Sequence, residues 1–423
     1  MWNIVDFGAI SSDSLQTKAI QQAIDACFLA GGGNVRVPAG VYRMGCVRLR
    51  SNVALHLESG AMLVGSRNPE DYTDYIHDAI EPIEGYDRPD ISRSVYPFSR
   101  WNNAMIRVIH AENVAIIGEK GSFIDGSNCF DEQGEEGYRG PHGINIQDSR
   151  KIRLEGYTLR NCGNWAHALF KTSDIVARRV TVYAGHDGFD VRTCDNVLIE
   201  ECSFSTGDDC IAGYDNHEVI IRRCHLNSSC DALRFGGNNV LVEDCEAVGP
   251  GNYAHRYTLS RELQRIGAGT DEACRRNLCC FFVYYCDLRA NPRRKPEDIL
   301  IKNCRIVEAD RLVMLDFGPQ HIWCCNRSLA GIRFENCRIE GVSHPVRLYG
   351  DEKEKLTFEM EDVVMTAREG SEDACLFEAK HCEAISLKNV QLKGFRDPRM
   401  LLRSTGRIDV LGGTPVRCVV EEG

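Results

Sequence analysis

Two neighbouring aspartates, Asp208 and Asp209, stand in the stretch STGDDCIAGYDN, after a glycine and before the apolar pair Ile211 and Ala212. Adjacent carboxylates repel each other when both are ionised, and aspartate is depleted from β-strands. A pair kept together beside an apolar segment therefore indicates either a turn or a catalytic acid with its base.

Two further aspartates stand at related spacings: Asp187 lies 21 residues before Asp208, and Asp231 lies 23 residues after it. In a chain that repeats every 21 residues or so, these three would stack on adjacent strands about 4.8 Å apart. Such a column cannot be fully ionised at neutral pH, so one carboxyl becomes an acid while another stays a base. Hydrolysis of a glycosidic bond requires this division of roles.

Aspartates also stack at the corners of β-helices simply to cap turns, so a structural role stays open. Three features favour the catalytic interpretation. The aspartate is doubled, glycines surround it, and His186 and Arg234 lie close to it in the repeat.

A repeated segment supplies the elements that would position these residues. The segments NVLIEECSF (196–204), EVIIRRCHL (218–226) and NVLVEDCEA (239–247) align without gaps, and their cysteines fall 22 and 21 residues apart. Each copy reads as a short alternating strand bounded by turn residues. An all-β repeat of this period predicts a parallel β-helix whose coils share one core.

One segment near the start has helical periodicity instead, and it predicts an α-helical cap over residues 13–30. Asp13 or Ser14 would be the N-cap, and a cap would cover the open end of the β-helix. The apolar face would consist of Leu15, Ala19, Ile20, Ala23, Ile24, Cys27 and Phe28. We predict a single domain over residues 1–423, with long excursions between coils at 66–100 and 250–276.

The composition of the chain limits the classes of partner that it could bind. The net charge of −11 and a pI near 5.6 give no general attraction for nucleic acid or for anionic membranes. We find no export segment and no apolar run of about 18 residues, and we expect a cytoplasmic protein. The 21 cysteines lack zinc-site spacing, so we expect them to be buried hydrophobes in a reducing compartment, with no metal and no cofactor.

Taken together, these motifs resemble the family 28 glycoside hydrolases, the polygalacturonases and their relatives. The segments that carry the resemblance are VDFGAISSDSLQTKAIQQAIDACFLAGGGNVRVPAGVY, LRSNVALHLESGAMLVGS and HDGFDVRTCDNVLIEECSFSTGDDCIA. The resemblance implies a right-handed parallel β-helix and inverting hydrolysis. It also implies that Asp208 protonates the leaving oxygen, while Asp187 and Asp209 hold and deprotonate the attacking water. We expect Asp208 to lie across the cleft from this pair, at the roughly 6.5–9.5 Å typical of inverting enzymes.

The chain departs from the family pattern at several positions. The family's Gly-His-Gly site falls on Cys230, Asp231 and Ala232, so its histidine is absent. The Arg-Ile-Lys motif keeps only its arginine, at Arg256, and Tyr214 replaces a common lysine. Lysines at such positions suit a uronate carboxylate, so their loss leaves the identity of the sugar open.

Several residues are candidates for binding substrate. Trp165 and His167 could form the floor of a sugar site or could equally belong to the core. Arg234 could bind substrate, although neutralising the acidic column is the preferred role. The complete set of substrate-binding candidates is His186, Asp231, Arg234, Arg256, Tyr214, Trp165 and His167.

The sequence thus predicts an inverting glycoside hydrolase. We expect exo action on a pectin-derived or other plant-derived oligosaccharide, such as a galacturonide or a rhamnogalacturonan fragment. Two alternatives stay open: a β-helix polysaccharide lyase that acts by β-elimination, and a non-catalytic carbohydrate-binding β-helix. The expected partner is the oligosaccharide alone, without nucleic acid or membrane, and the oligomeric state is not predicted.

Overall fold

The computed structural model describes residues 2–73, 103–130, 139–255, 275–286, 293–318, 321 and 323–421. Most of the two predicted excursions, at 66–100 and 250–276, lies outside these residues. Among the residues described, no helix is long and apolar enough to span a membrane. The chain divides into two compact units, one of Met1–Asp208 with Tyr253–Arg275 and one of Asp209–Asn252 with Arg276–Gly423.

The strands of both units follow the alternation that the sequence predicts. In the strand Val53–Leu57, for example, Val53, Leu55 and Leu57 are buried while the residues between them are partly exposed. Successive side chains of a strand point to opposite faces, so each strand places its alternate apolar residues in the interior. Within each unit, stacked coils of such strands bury a core that adjacent coils share.

The first unit is a stack of coils, each with up to three strands, and the strands of adjacent coils pair in parallel. We name the three faces A, B and C in the order in which the chain visits them. Face A contains the strands Val47–Leu49, Ala104–Ile109, His142–Gln147, His167–Phe170 and Phe189–Arg192. Face B contains Trp2–Asn3, Gly33–Val37, Val53–Leu57, Glu112–Gly118, Arg150–Glu155, Ser173–Arg178 and Asp195–Glu200. Face C contains Gly40–Met44, Ala61–Gly65, Phe123–Asp125, Thr158–Arg160, Thr181–Ala184 and Ser203–Thr206.

The second unit repeats this arrangement, again with parallel pairing. Its first two coils have long strands, Ile211–Arg222 and Asp231–Glu243, that bend from face A onto face B. The other face A strands are Leu278–Tyr284, Ala309–Asp316, Val346–Tyr349, Phe377–Lys380, Arg399–Arg403 and Arg417–Val420. The other face B strands are Glu297–Lys302, Gly331–Glu335, Leu356–Glu361, Cys382–Lys388 and Arg407–Leu411. Face C contains His225–Ser228, Glu246–Val248, Arg305–Val307, Arg338–Val342, Val364–Ala367 and Gln391–Lys393.

Among the described residues of the first unit there are three helical segments: the 3-10 turns Ile4–Phe7 and Pro69–Tyr72 and the α-helix Thr17–Leu29. The helix buries Ile20, Ala23, Ile24 and Cys27 completely, as predicted. The predicted boundaries were wrong, because the helix begins at Thr17 and its N-cap residue is Gln16 rather than Asp13 or Ser14.

Two residues of the predicted apolar helix face are exposed. Leu15 precedes the first turn, so helical periodicity does not apply to it, and it is 47% exposed. Phe28 lies in the last turn and is 40% exposed, with the Arg50 guanidinium 5.7 Å from its ring centre. The buried face is therefore narrower than the sequence pattern suggested.

The repeated cysteines occupy one position in the coil, the corner between faces B and C. Each follows a residue with left-handed backbone, as Glu201, Asp244, Asn303 and Asn336 precede their cysteines. Each thiol also donates to the carbonyl oxygen two residues earlier. These bonds run from Cys202 to Glu200 at 3.3 Å, Cys245 to Glu243 at 3.3 Å, Cys304 to Lys302 at 3.2 Å and Cys337 to Glu335 at 3.3 Å.

These thiols are buried, which confirms the predicted structural role of the repeated cysteines. A hydrogen bond with Cys245 and burial together raise the pKa of Cys304 to about 12. A thiol with such a pKa stays protonated and is a poor nucleophile. The cysteines therefore satisfy carbonyl groups at a tight turn rather than take part in chemistry.

Candidate active site

The first unit contributes two aspartates from the corner between faces C and A. Asp187 follows the strand Thr181–Ala184, and Asp208 follows the strand Ser203–Thr206 of the next coil. They are 6% and 9% exposed, and their carboxylate oxygens come within 4.8 Å of each other. Ionising both of two buried carboxyls this close is costly, which favours one protonated and one ionised carboxyl. Because the 4.8 Å limit applies to the nearest oxygens, the separation of roughly 6.5–9.5 Å between the Asp208 and Asp187 carboxyl groups stays a prediction.

Glycine makes this close approach possible. A Cβ atom on Gly207 would lie 2.4 Å from the Ala254 oxygen and 2.6 Å from the Gly185 oxygen. The Gly207 amide donates to Ala184 at 2.8 Å, and the Thr206 hydroxyl donates to the Asp208 carbonyl at 2.7 Å. Only glycine fits between these carbonyls, and the bend it allows fixes the position of Asp208.

Two histidines flank the same corner. The predicted site residue His186 is buried, 6.3 Å from the ring of Phe130. A nitrogen of His255 lies within 4.8 Å of an Asp208 oxygen, and His255 is 5% exposed. The sequence analysis missed His255 because it lies in an excursion between coils, where no periodicity points to it. Arg256, the next residue, lies outside the described residues.

His167 lies in the core of the first unit and cannot contact a substrate, so its predicted binding role was wrong. Its Nδ1 donates to the Gly188 carbonyl at 3.0 Å, and its Nε2 accepts from the Tyr157 hydroxyl at 2.9 Å. The ring stacks on Phe189 at 4.0 Å. Burial lowers the pKa of His167 from 6.5 to about 4, so the ring is neutral at pH 7.

Trp165 does not form an open sugar-binding floor either. Its indole lies 5.1 Å from His142, which belongs to the preceding coil, and 4.6 Å from the Arg192 guanidinium, which belongs to the following one. Arg192 forms a buried ion pair with Asp190 at 2.5 Å. Trp165 is thus packed between two neighbours, and the predicted stacking of a sugar on its ring is not supported by this geometry.

The second unit contributes Asp209, Cys230 and Asp231. Asp209 is 1% exposed, and its carboxylate lies 3.6 Å from Nη1 of Arg234. Side-chain atoms of Asp209, Cys230 and Asp231 come within 4.8 Å of one another. The Arg234 guanidinium therefore partly balances the negative charge of Asp209.

The register in the second unit decides which residue neighbours Asp231. Ile211 pairs with Leu233, 22 residues later, and the Cys210 amide donates to the Asp231 carbonyl at 3.1 Å. This offset places Asp209 beside Asp231. The sequence-based column had paired Asp231 with Asp208, which was wrong because the coil takes 22 residues here rather than 23.

A metal could meet Asp209, Asp231 and Cys230 in the second unit, since these are possible ligands. Calcium, which the lyase alternative would require, prefers six to eight oxygen ligands. Two carboxylates and a thiol do not match that preference. The donor set therefore gives the lyase alternative no support.

Aromatic rings surround Arg234. Its guanidinium lies 4.4 Å from the ring centres of both Tyr285 and Trp323. Tyr214, a predicted substrate-binding residue, is buried and meets Tyr285 edge-on at 5.0 Å. The sequence analysis missed Tyr285 and Trp323, which follow face A strands in connections without a repeat. Trp323 is 44% exposed.

Comparison with known proteins agrees with this description. Residues 82–229, which include Asp187, Asp208 and Asp209, match the model for glycosyl hydrolases family 28. A probable polygalacturonase from Vitis vinifera is 28% identical over 280 residues, which cover 58% of this chain. The aligned part is about half of the grape protein, 54% of its length.

Two solved structures share the fold over nearly the whole chain. The family 28 exopolygalacturonase from Yersinia enterocolitica superposes with a TM-score of 0.65 at 18% identity, covering 98% of this chain and 78% of that one. The hyperthermoactive exopolygalacturonase from Thermotoga maritima gives 0.59 at 17% identity, covering 93% and 91%. They confirm the predicted right-handed parallel β-helix. Motifs, family model and fold agree, and over residues 82–229 the chain is similar to the glycosyl hydrolases of family 28.

Proposed function

We propose that the protein hydrolyses a glycosidic bond by general acid and base catalysis. Asp208 donates its proton to the leaving oxygen while Asp187 and Asp209 orient a water molecule and accept its proton. The water oxygen then bonds to the anomeric carbon as the bond to the leaving oxygen breaks. The resemblance to family 28 implies inversion at that carbon.

The close approach of the Asp187 and Asp208 carboxyls is the observation that carries this proposal. Ionising both of two buried carboxyls within 4.8 Å of each other is unfavourable, so we expect one of them to stay protonated. One protonated and one ionised carboxyl place an acid and a base at a single corner of the coil, which is the chemistry that glycoside hydrolysis requires. A turn-capping role needs no such pair.

We further propose that the substrate is a pectin-derived oligosaccharide containing galacturonic acid, attacked from one end. The names of the relatives support this proposal, since two solved neighbours are exopolygalacturonases. A location in the cytoplasm is part of the same proposal, and the many buried thiols fit a reducing compartment. There the protein would meet short imported oligosaccharides rather than intact pectin.

Digestion of digalacturonate, longer galacturonides and rhamnogalacturonan fragments tests the proposal. We expect new reducing ends, release of a single end sugar, and no unsaturated product absorbing in the ultraviolet. Unsaturated product would instead indicate a lyase, and comparable rates on a polymer and on its dimer would remove the exo assignment. Activity that survives Asp208→Asn undiminished would remove the catalytic assignment.

Proton NMR of the first sugar released tests the stereochemistry. Inversion predicts that the opposite anomer appears first and then mutarotates. Immediate release of the same anomer would indicate retention, for which carboxyl groups about 5–5.5 Å apart are typical.

A further inference from the structure

We propose that Arg234, Tyr285 and Trp323 form a subsite in the second unit that binds the carboxylate of a uronic acid. The inference rests on the proposed function and names the group of the substrate that this chain selects. All three residues, and Asp209 beside them, belong to the same unit.

Arg234 supplies a positive charge that the family pattern would place at position 214. Tyr214 stands where the resemblance leads one to expect a lysine, and it is buried with its ring edge against Tyr285. Tyr285 in turn carries the Arg234 guanidinium on its ring. The residue that replaces the lysine therefore supports the ring that holds an arginine, so a positive charge is retained from a different position.

Two aromatic rings give the subsite its shape. The rings of Tyr285 and Trp323 lie 6.1 Å apart at 69°, and Arg234 lies in the corner between them, 4.4 Å from each. Two aromatic walls fix the plane of the guanidinium, whose donors match a carboxylate bidentately. The side chain of Arg234 is 21% exposed, so a small anion can reach it.

Trp323 provides a surface on which the sugar ring can stack. Trp323 is 44% exposed, and its indole offers a flat apolar surface beside the guanidinium. The C–H face of a pyranose stacks on such a surface while its polar groups stay in contact with water. A uronate can thus place its ring on Trp323 and its carboxylate on Arg234.

The charges of Arg234 and Asp209 favour a substrate that carries a carboxylate. Asp209 lies 3.6 Å from Arg234, and without that guanidinium it would repel an incoming carboxylate. A neutral sugar could accept a hydrogen bond from the arginine but would lack the stronger, charge-assisted bidentate pair. The arrangement therefore discriminates by charge.

Kinetics with two substrates that share one leaving group test the subsite: a nitrophenyl α-galacturonide and the nitrophenyl α-galactoside. In Arg234→Met we expect KM for the galacturonide to rise about 10- to 100-fold, the usual loss for a charge-assisted hydrogen bond. KM for the galactoside should stay within about twofold, since it lacks the carboxylate. Trp323→Ala should raise KM for both substrates alike.

Arg347→Met is the matched control. Arg347 also lies against an aromatic ring, 5.2 Å from that of Tyr349, and pairs with Glu378 at 3.0 Å, but it belongs to a later coil. It should leave both KM values unchanged. Equal losses on both substrates in Arg234→Met would overturn the inference, because the arginine would then serve only Asp209.

The experiments distinguish a hydrolase that lacks the uronate subsite from a protein that is not a hydrolase. A wild-type protein that hydrolyses the galactoside as readily as the galacturonide is a hydrolase without this subsite. If the wild type hydrolyses neither, calorimetry with digalacturonate still tests the subsite. Binding that Arg234→Met abolishes and Arg347→Met retains would uphold it, and absence of binding to the wild type would overturn it.

Discussion

Asp208 and Asp187 have different roles in the proposed reaction, and one pair of substitutions separates them. Asp208→Asn should lower the rate on a natural disaccharide by about 100- to 10,000-fold, the usual contribution of a general acid. A nitrophenyl glycoside, whose leaving group needs little protonation, should lose far less. Asp187→Asn should damage both substrates alike, because water activation is required in each case. Steady-state kinetics on the two substrates measure the contrast.

The control for both variants is Asp298→Asn, at an exposed position whose left-handed backbone asparagine adopts readily. It should leave both rates unchanged. Equal losses on both substrates for Asp208→Asn would remove its assignment as the general acid.

Among the elements, the glycine corner that carries Asp208 allows a sharp comparison. In Gly207→Ala the new methyl group would meet two carbonyl oxygens at 2.4 and 2.6 Å, so the backbone must shift. In Gly185→Ala it would meet only a ring carbon of Tyr253 at 3.3 Å, which a small side-chain movement relieves. We expect Gly207→Ala to lose most activity and Gly185→Ala to keep most of it. Equal activity of the two variants, both folded by circular dichroism, would contradict the role given to Gly207.

The amino-terminal helix contributes stability through one narrow face. Ile24 is fully buried, and Ile24→Ala should lower the free energy of unfolding by about 2–5 kcal/mol through lost burial and a cavity. Leu29, in the same helix, is 83% exposed, so Leu29→Ala should change it by less than about 0.5 kcal/mol. Urea titration compares the two variants. Similar losses in both would show that the helix does not pack as described.

For the whole molecule, His167 makes stability depend on pH. Its pKa is about 4 in the folded chain and 6.5 ordinarily, so below pH 6.5 the unfolded chain binds the extra proton. The stabilising contribution is complete above pH 6.5 and is lost as pH falls towards 4, at a cost of about 3 kcal/mol. His167→Phe keeps a ring against Phe189 but cannot be protonated, so its stability should fall less on acidification.

Unfolding by urea at pH 7.5 and pH 4.5 measures this difference. His225→Gln, a substitution of a more exposed histidine, should keep the acid sensitivity of the wild type. If His167→Phe loses stability on acidification as steeply as the wild type, another group is responsible.

The sequence predicted the fold because every coil repeats one simple pattern of alternating apolar residues between turn residues, and the helix because its periodicity is different. Candidate site residues could be named from the sequence where they lie on or beside that pattern, as Asp187, Asp208, Asp209, Asp231 and Arg234 do. No sequence repeat covers the connections between coils, which contain His255, Tyr285 and Trp323. Trp165 and His167 were misread because the strand begins at His167, so alternation places that ring inward and does not govern Trp165.

The cysteines at the corners between faces B and C can report the order in which the coils unfold. In a solenoid, stability is a sum over coils and their interfaces, so coils can open in groups. Cys245, Cys304 and Cys337 mark successive cysteine-bearing corners of the second unit and are buried, whereas Cys418 is exposed. Brief alkylation at increasing urea, read by mass spectrometry, should modify Cys418 at once. The three buried thiols should react only as their own coils open, and simultaneous reaction at one urea concentration would show that the unit unfolds as a single block.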